Sequence, residues 1–388
     1  MDKNRIKRVG LLLLAFVISI TSCVDPFSIT YNLDKGIIIV EGVLTDELSD
    51  QYIQLKESKI ISTNKVSAIF PLKNCVVEII VDGAEKISFI ENPKDSGNYL
   101  GPKGFKAEPN KTYQLVFKTN NGTVYQSKTE KLIKGAEIKN VYQQLKVTGK
   151  TGDKIYKGVH EIYLDTPDPA GIKNYYLWDY NLYEAQEVCL TCEPGERYYS
   201  RPLPGVCIKD LPPVLRNVVY DYECFGGCWE IIHPTKINIM SDEFSDGKTI
   251  AARKIADVPI YHLNSGSLIE VKQQSINASA YKYYKILIEQ SQNSGGLADT
   301  PPVSLIGNIE SSDKSPVAGY FRVTDETKYY HWIDRSDVLK TDLKPVFILG
   351  RPTNLEPGGE DITRPPLVAC INSYTRTNIR PKGWGGSK

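Results

Sequence analysis

Turn residues divide this chain into many short segments of β-forming residues, and this pattern limits the fold more than any other feature. The sequence has 24 Tyr and only 2 Met, together with 29 Gly and 23 Pro. Short segments rich in Tyr, Val, Ile and Thr between frequent turns are typical of exported β-sandwiches and barrels. We therefore predict a mainly β protein.

Residues 31–135 contain the most regular part of this pattern. The dipeptides Asp82-Gly83 and Asn121-Gly122 each lie between two strand-like segments, and such dipeptides favour β-hairpin turns. About seven short strands in roughly a hundred residues are expected of an immunoglobulin- or transthyretin-like sandwich. We predict that residues 31–135 form this N-terminal sandwich.

Residues 136–388 continue with longer and less regular β segments, which predict a larger second β domain. One helix stands out at Asn277–Gln292, where Asn277 or Ser279 can cap its start. Its apolar positions repeat at helical spacing and are Tyr281, Tyr284, Leu287 and Ile288. The second domain is therefore expected to carry one helix.

The N-terminal segment has the parts of a lipoprotein signal peptide. Lys3, Arg5, Lys7 and Arg8 form a positive region, and the uncharged apolar run that follows is too short to span a bilayer. Small residues then precede Cys23. We expect residues 1–22 to be removed, Cys23 to carry the lipid and residues 23–30 to be a tether. An ordinary signal peptide that ends near a chance cysteine is the alternative.

The balance of charge argues against nucleic acid as a partner. The formal net charge is +1, with acidic and basic side chains interspersed along the chain. The expected contact with a membrane is through the acyl chains on Cys23, as the predicted signal peptide implies. The sequence predicts a lipid-anchored protein with no nucleic-acid partner.

Five cysteines lie close together in the second domain. They are Cys189, Cys192, Cys207, Cys224 and Cys228. In an exported protein such a cluster favours disulfides that hold a loop-rich insertion, here residues 189–228. A four-thiolate zinc site, a redox dithiol at the first two cysteines, and unpaired thiols are the alternatives. The pairing does not follow from the sequence.

No catalytic motif is present in the sequence. It lacks a nucleophile elbow, a phosphate-binding glycine loop and a dinucleotide fingerprint, and His160-Glu161 lacks the second histidine of a zinc protease. The carboxylates of Asp165 and Asp168 lie close in sequence, but the neighbouring prolines favour a turn over a calcium or glycosidase site. We expect no catalytic residue, metal or cofactor, with a composite histidine site as the alternative.

Aromatic side chains are concentrated in one segment of the second domain. Alternation would place Tyr176, Trp178 and Tyr180 on one face of a strand, and Trp229 lies beside the cysteine cluster. Exposed rings of this kind stack on sugars or dock a partner, whereas buried rings form a core. These four residues are the ligand or partner candidates, although we favour a core role for the strand residues.

Several segments of the chain, taken together, resemble those of one protein family. The most specific are 301–309 and 316–321 (PVAGYF), and the others are Val40-Glu41-Gly42, the start at 23–27 (CVDPF), Cys228-Trp229 and the helix with Tyr281. Together they resemble an uncharacterised lipoprotein family of Bacteroidota with a domain of unknown function. The resemblance covers nearly the whole mature chain and supplies no catalytic residues. It implies an outer-membrane location beside a TonB-dependent receptor.

These observations combine into one expected function. We predict a non-enzymatic outer-membrane lipoprotein that captures or gates a ligand for a TonB-dependent receptor in nutrient or metal-chelate uptake. An envelope enzyme such as a glycan hydrolase, and a structural or adhesive surface protein, are the alternatives. The sequence leaves open whether the protein faces the periplasm or the cell surface.

Overall fold

The structure is a computed structural model. It describes residues 36–48, 51–61, 66–152, 154–191, 197–199, 206–208, 222–261, 266–291, 307–344 and 372–386. The described chain is mainly β with one α-helix, as predicted. Cys23, the predicted signal peptide at residues 1–22 and the predicted tether at 23–30 lie outside the described residues.

Nine strands form before residue 135, and most are joined by short turns. They are β1 (Ile37–Thr45), β2 (Tyr52–Ile61), β3 (Val66–Pro71), β4 (Val76–Val81), β5 (Glu85–Glu91), β6 (Asn98–Leu100), β7 (Thr112–Lys118), β8 (Val124–Ser127) and β9 (Glu130–Lys131). The predicted hairpin between β4 and β5 is confirmed, with φ values of 49° at Asp82 and 72° at Gly83. Positive φ at both central residues gives the turn the twist that a hairpin needs.

The rest of the chain supplies longer strands and the helix. These elements are β10 (Asn140–Thr151), β11 (Lys154–Thr166), β12 (Tyr175–Thr191), β13 (Arg197–Tyr199), β14 (Val206–Ile208), β15 (Tyr222–Ile232), β16 (Asn238–Ser241), β17 (Ile250–Pro259), β18 (Ser267–Ser275), α1 (Ala278–Ser291), β19 (Ile309–Ser311), β20 (Val317–Thr324), β21 (Glu326–Ile333) and β22 (Arg376–Thr377). The Asn277 side chain accepts a hydrogen bond of 2.7 Å from the Ala280 amide, so the predicted cap of α1 is confirmed.

The first sheet has 11 strands and is nearly closed. Besides β1 to β9 it contains β19 and β20, and β20 runs parallel to β1 with Val40 opposite Gly319. Asn308 bridges the two end strands, since its amide donates to the Phe321 carbonyl at 2.6 Å and accepts from the Phe321 amide at 2.9 Å. This sheet therefore takes strands from both sides of residue 135, and the predicted division into two domains stays a prediction.

Two further sheets pack face to face in the second half of the chain. One has the order β10-β11-β17, and the other has the order β21-β18-β12-β15-β22 with β16 beside β12. Their shared core includes Ile162, Trp178, Ile269 and Ile333. Inward side chains of the two sheets alternate with outward ones, as in other β-sandwiches.

Only one residue, Asp325, separates β20 in the first sheet from β21 in the six-stranded sheet. The two sheets are therefore joined by a very short connection, and their outer faces lie beside each other. No helix among the described residues is long and apolar enough to cross a membrane.

Candidate ligand-binding cleft

The strand β12 separates the core of the second unit from its outer face. Tyr176, Trp178 and Tyr180 point inward and are 1%, 2% and 8% exposed, so these three candidates belong to packing and not to a ligand surface. Asp179, between Trp178 and Tyr180, and Asn181, which follows Tyr180, point to the opposite face, because side chains alternate along a strand. The aromatic run is core, and the polar residues between its members form the accessible surface.

Arg322 on β20 lies where this outer face meets the first sheet. Its guanidinium donates to the Gln274 side chain at 3.1 Å and to the Tyr284 hydroxyl, and it lies 5.5 Å from the centre of the Tyr284 ring. Burial raises the pKa of Tyr284, while the nearby Arg322 lowers it. These partners are neutral oxygens and an aromatic ring, so they do not cancel the positive charge of the guanidinium. That charge can therefore act on other groups nearby.

Tyr52 and Glu41 lie on the outer face of the first sheet, next to Arg322. In the register of the strands, Val43 lies between Tyr52 and Arg322, which places these two side chains in one row. The Tyr52 side chain is 37% exposed, yet burial, followed by the charge of Glu41, raises its pKa to about 12. A ring that is accessible while its hydroxyl is surrounded by protein is expected at the mouth of a cleft.

The opposite wall comes from the second unit. Asp179 and Tyr374 both act electrostatically on Tyr52, which places the two walls within range of each other. Tyr374 is 74% exposed and stacks on His233 at 3.9 Å between ring centres. We call the group formed by Tyr52 and the residues within its electrostatic range, Glu41, Asp179, Arg322 and Tyr374, the inter-sheet cleft.

A buried carboxylate extends the same outer face beyond Asp179. Glu270 is 7% exposed and accepts hydrogen bonds from Asn181 at 2.9 Å, Tyr183 at 3.2 Å and Tyr330 at 3.0 Å. Burial and the charge of Glu270 raise the pKa of both tyrosines. The three donors fix Glu270 in place, so this patch is a preorganised polar surface.

Three carboxylates meet in a different place, at the loops beside β12 and β16. Oxygens of Asp168, Asp242 and Asp246 lie within 4.8 Å of one another, and Asp165 is not part of the group. Asp168 accepts from Tyr176 at 2.5 Å and from the Gly247 amide at 3.1 Å, and Asp242 accepts from the Asn174 amide at 2.7 Å. Oxygen ligands of this kind suit calcium, but these hydrogen bonds already give the group a role in joining two loops.

The histidines and the cysteine cluster do not assemble into a described metal site. His160 lies 3.0 Å from Asp337, and within the described part of the chain no group of three His, Cys, Asp or Glu ligands occurs apart from the aspartates above. His262 and the side chains of Cys189, Cys192, Cys207 and Cys224 lie outside the described residues. Cys228 is disulfide-bonded. Disulfides at the other four cysteines of the cluster stay a prediction.

Trp229, the fourth aromatic candidate, packs on the C-terminal segment. Its ring lies 5.6 Å from that of Trp384, which in turn lies 5.1 Å from Trp332. Trp229 is half-buried, and these contacts hold residues 372–386 against the six-stranded sheet. The residue therefore supports the segment that carries Tyr374 toward the cleft.

The comparisons place the chain in a family. The domain of unknown function DUF4249 matches residues 24–330, which is most of the 388-residue sequence. The chain belongs to this family. No curated protein and no solved structure matches it. The resemblance to an uncharacterised family is thus confirmed, and the family itself brings no assigned ligand or activity to the cleft.

Sequence reasoning did not identify the residues of the cleft. Glu41, Tyr52 and Arg322 lie on strands that are far apart in sequence, and only the parallel pairing of β1 with β20 brings them together. One available signal was Asp179, a charged residue between two core aromatic residues of one strand. Such a residue must point away from the core, and it marks the outer face of β12.

Proposed function

We propose that this chain is a non-enzymatic lipoprotein of the outer membrane, anchored through Cys23, that captures a ligand for a TonB-dependent receptor. The observation that supports the capture step is the inter-sheet cleft, where the exposed Tyr52 ring lies within electrostatic range of two carboxylates, one guanidinium and the exposed Tyr374. Small-molecule sites combine apolar and aromatic surface with a few placed polar groups, and they occur at the borders between units.

The receptor and the location rest on different support. The segment before Cys23 has the pattern of a lipoprotein signal peptide, and the resemblance stated above implies a place beside a TonB-dependent receptor. We keep the glycan hydrolase and the adhesive protein as alternative functions.

The experiment is a pull-down of the full chain from mild detergent through a C-terminal tag. We expect a stoichiometric TonB-dependent receptor in the mass spectrum, and recovery of the lipoprotein alone would contradict the proposal. Cys23→Ser is the matched variant for the anchor, and we expect it to leave the membrane fraction and to lose the receptor.

A second measurement separates capture from receptor binding. We expect the double variant Tyr52→Ala with Tyr374→Ala to keep the receptor but to lose small molecules that heat releases from the purified complex. Tyr142→Ala, on the three-stranded sheet, is the control and should retain them. Equal amounts of released compounds from all three proteins would rule out the inter-sheet cleft as the capture site.

A further inference from the structure

Two carboxyl groups meet at the connection between the first sheet and the six-stranded sheet. Asp46 directly follows β1, and Asp325 is the single residue between β20 and β21. The Lys134 ammonium lies 2.7 Å from an oxygen of Asp325 and 3.8 Å from an oxygen of Asp46, so the two carboxyls lie side by side. A proton on Asp46 can then be donated to the Asp325 carboxylate. Asp325 is only 3% exposed, which makes this proton part of the packed connection.

The same pair of carboxyls also contacts the second segment that connects the two units. Asp325 accepts a hydrogen bond of 2.7 Å from Lys134 and one of 2.9 Å from the Gly135 amide, both in the segment that leads from β9 to β10. Asp46 accepts a 3.0 Å hydrogen bond from the amide of Glu326. Two crossings and the end of β1 are therefore tied together at one point.

We infer that Asp46 and Asp325 form a proton-dependent latch between the first sheet and the six-stranded sheet. The latch is closed while the pair shares one proton, because a neutral Asp46 donates to the Asp325 carboxylate. When that proton leaves, two carboxylates face each other across the connection, and their repulsion weakens the hydrogen bonds to Lys134, Gly135 and Glu326.

The environment of the pair assigns the proton to Asp46. Burial and the hydrogen bond with Asp325 raise the pKa of Asp46 to about 6, although the Glu326 amide opposes this. Burial also disfavours the Asp325 carboxylate, but hydrogen bonds from Asp46 and Lys134 outweigh it and lower the pKa of Asp325. In the range between these two values the latch holds one proton.

Other charged groups around the latch are already paired or act more weakly. Lys134 also lies 3.8 Å from Asp46, and Glu137 acts on Lys134 from the same segment. On the other side, Lys328 lies 3.3 Å from Glu47 and 3.4 Å from Glu326. Asp46 is therefore the carboxyl of the latch whose pKa is raised, to about 6.

A chain of hydrogen bonds runs from the latch to the floor of the inter-sheet cleft. The Glu326 carboxylate, whose amide contacts Asp46, accepts from Gln274 at 2.5 Å, and Gln274 accepts from Arg322 at 3.1 Å. Opening of the latch therefore disturbs the position of Arg322. This consequence for the ligand rests on the proposed function, whereas the latch itself does not.

The sign of the effect follows from linkage. A carboxyl whose pKa is higher in the folded state than in the open state favours the folded state at low pH, and this contribution is lost as the pH rises through about 6. With 3.8 as the open-state pKa of Asp46, the opening constant is about tenfold larger at about pH 7.5 than at about pH 5.

The test compares the full chain with Asp46→Asn by hydrogen exchange between about pH 5 and about pH 7.5. The asparagine amide donates to Asp325 and its oxygen accepts from Glu326, so this variant reproduces the closed latch without a proton. After correction for the intrinsic rates, we expect exchange in the peptides that contain Gly135 and Glu326 to rise about tenfold in the wild type only.

Two controls keep the test decisive. Asp95→Asn, in a turn of the first sheet, should retain the wild-type pH dependence. Lys134 is 73% exposed, and Lys134→Met should move the transition to higher pH because the ammonium lowers the pKa of Asp46. Parallel exchange profiles in wild type and Asp46→Asn, or no shift in Lys134→Met, would overturn the latch. A normal latch signature with no captured ligand would instead overturn only the proposed function.

Discussion

Among the described residues, the two units of this protein differ in their buried ion pairs. The core of the first sheet includes fully buried apolar residues such as Leu55, Ile79, Leu115 and Phe117. The second unit buries Arg335 against Glu184, 1% and 0% exposed, in addition to its apolar core. The first unit is therefore held mainly by apolar packing of neighbouring hairpins, and the second also depends on polar pairs between distant strands.

This difference shows where a change in charge matters. Hydrophobic burial is not directional, and the first unit tolerates local adjustment. A buried ion pair needs both partners, since one partner alone leaves an uncompensated charge in the interior. Substitutions of each kind therefore test whether the two units depend on different interactions.

The largest effect is expected from the buried pair of the second unit. Arg335→Met removes the guanidinium that pairs with the Glu184 carboxylate. Burial raises the pKa of Glu184, so its charged form is already disfavoured and depends on this partner. We expect a loss of about 3–5 kcal/mol in the free energy of unfolding. All 4 Trp lie at positions 178, 229, 332 and 384, so tryptophan fluorescence in urea reports on this unit specifically.

The double variant Arg335→Met with Glu184→Leu is the matched control. It removes both charges and should recover much of the lost stability, because it leaves no unpaired charge, although the Ser267 hydroxyl loses its partners. If the double variant is as unstable as the single one, packing and not charge is the contribution of Arg335, and the contrast between the units fails.

A smaller effect is expected from the contact that nearly closes the first sheet. Gly319 has a φ of 110°, and a Cβ there would lie 1.8 Å from the Val40 carbonyl oxygen. Gly319→Ala should therefore separate β20 from β1 and cost about 1–3 kcal/mol through backbone strain, with the clash in addition. Thermal unfolding followed by circular dichroism measures the change.

Gly122→Ala provides the comparison for this variant. Gly122 also has a positive φ, of 90°, but a Cβ there meets no atom within 4 Å. Gly122→Ala therefore measures the cost of backbone strain without a steric clash. Equal losses in the two variants would mean that the parallel pairing of β1 and β20 adds nothing to the first sheet.

Local features were predictable from the sequence, and long-range ones were not. The Asp82-Gly83 hairpin and the capped helix follow from residues within a few positions of each other, and both are confirmed. The parallel partner of β1 lies more than 250 residues away, with Val40 opposite Gly319, and no local pattern encodes that choice. The cleft and the latch depend on this pairing, so the sequence alone revealed neither.

The smallest expected effect is a change in pH dependence, and it has the opposite sign to that of the latch. Burial lowers the pKa of His331, with nearby His160 acting in the same direction, and burial also lowers the pKa of His160. A base of this kind is protonated more easily in the unfolded chain, so folded stability is full above about pH 6.5 and is lost as the pH falls.

His331→Gln removes one of these groups and should flatten the acid side of the stability curve. Wild type and His331→Gln are compared by urea unfolding at about pH 5.5 and about pH 7.5, both in the Asp46→Asn background, which removes the opposing contribution of the latch. We expect the loss of stability toward acid pH to be smaller in the His331→Gln protein. Equal losses would show that His331 does not sense pH in the folded protein, and the acid sensitivity of the second unit would then have to come from His160, which lies against Asp337.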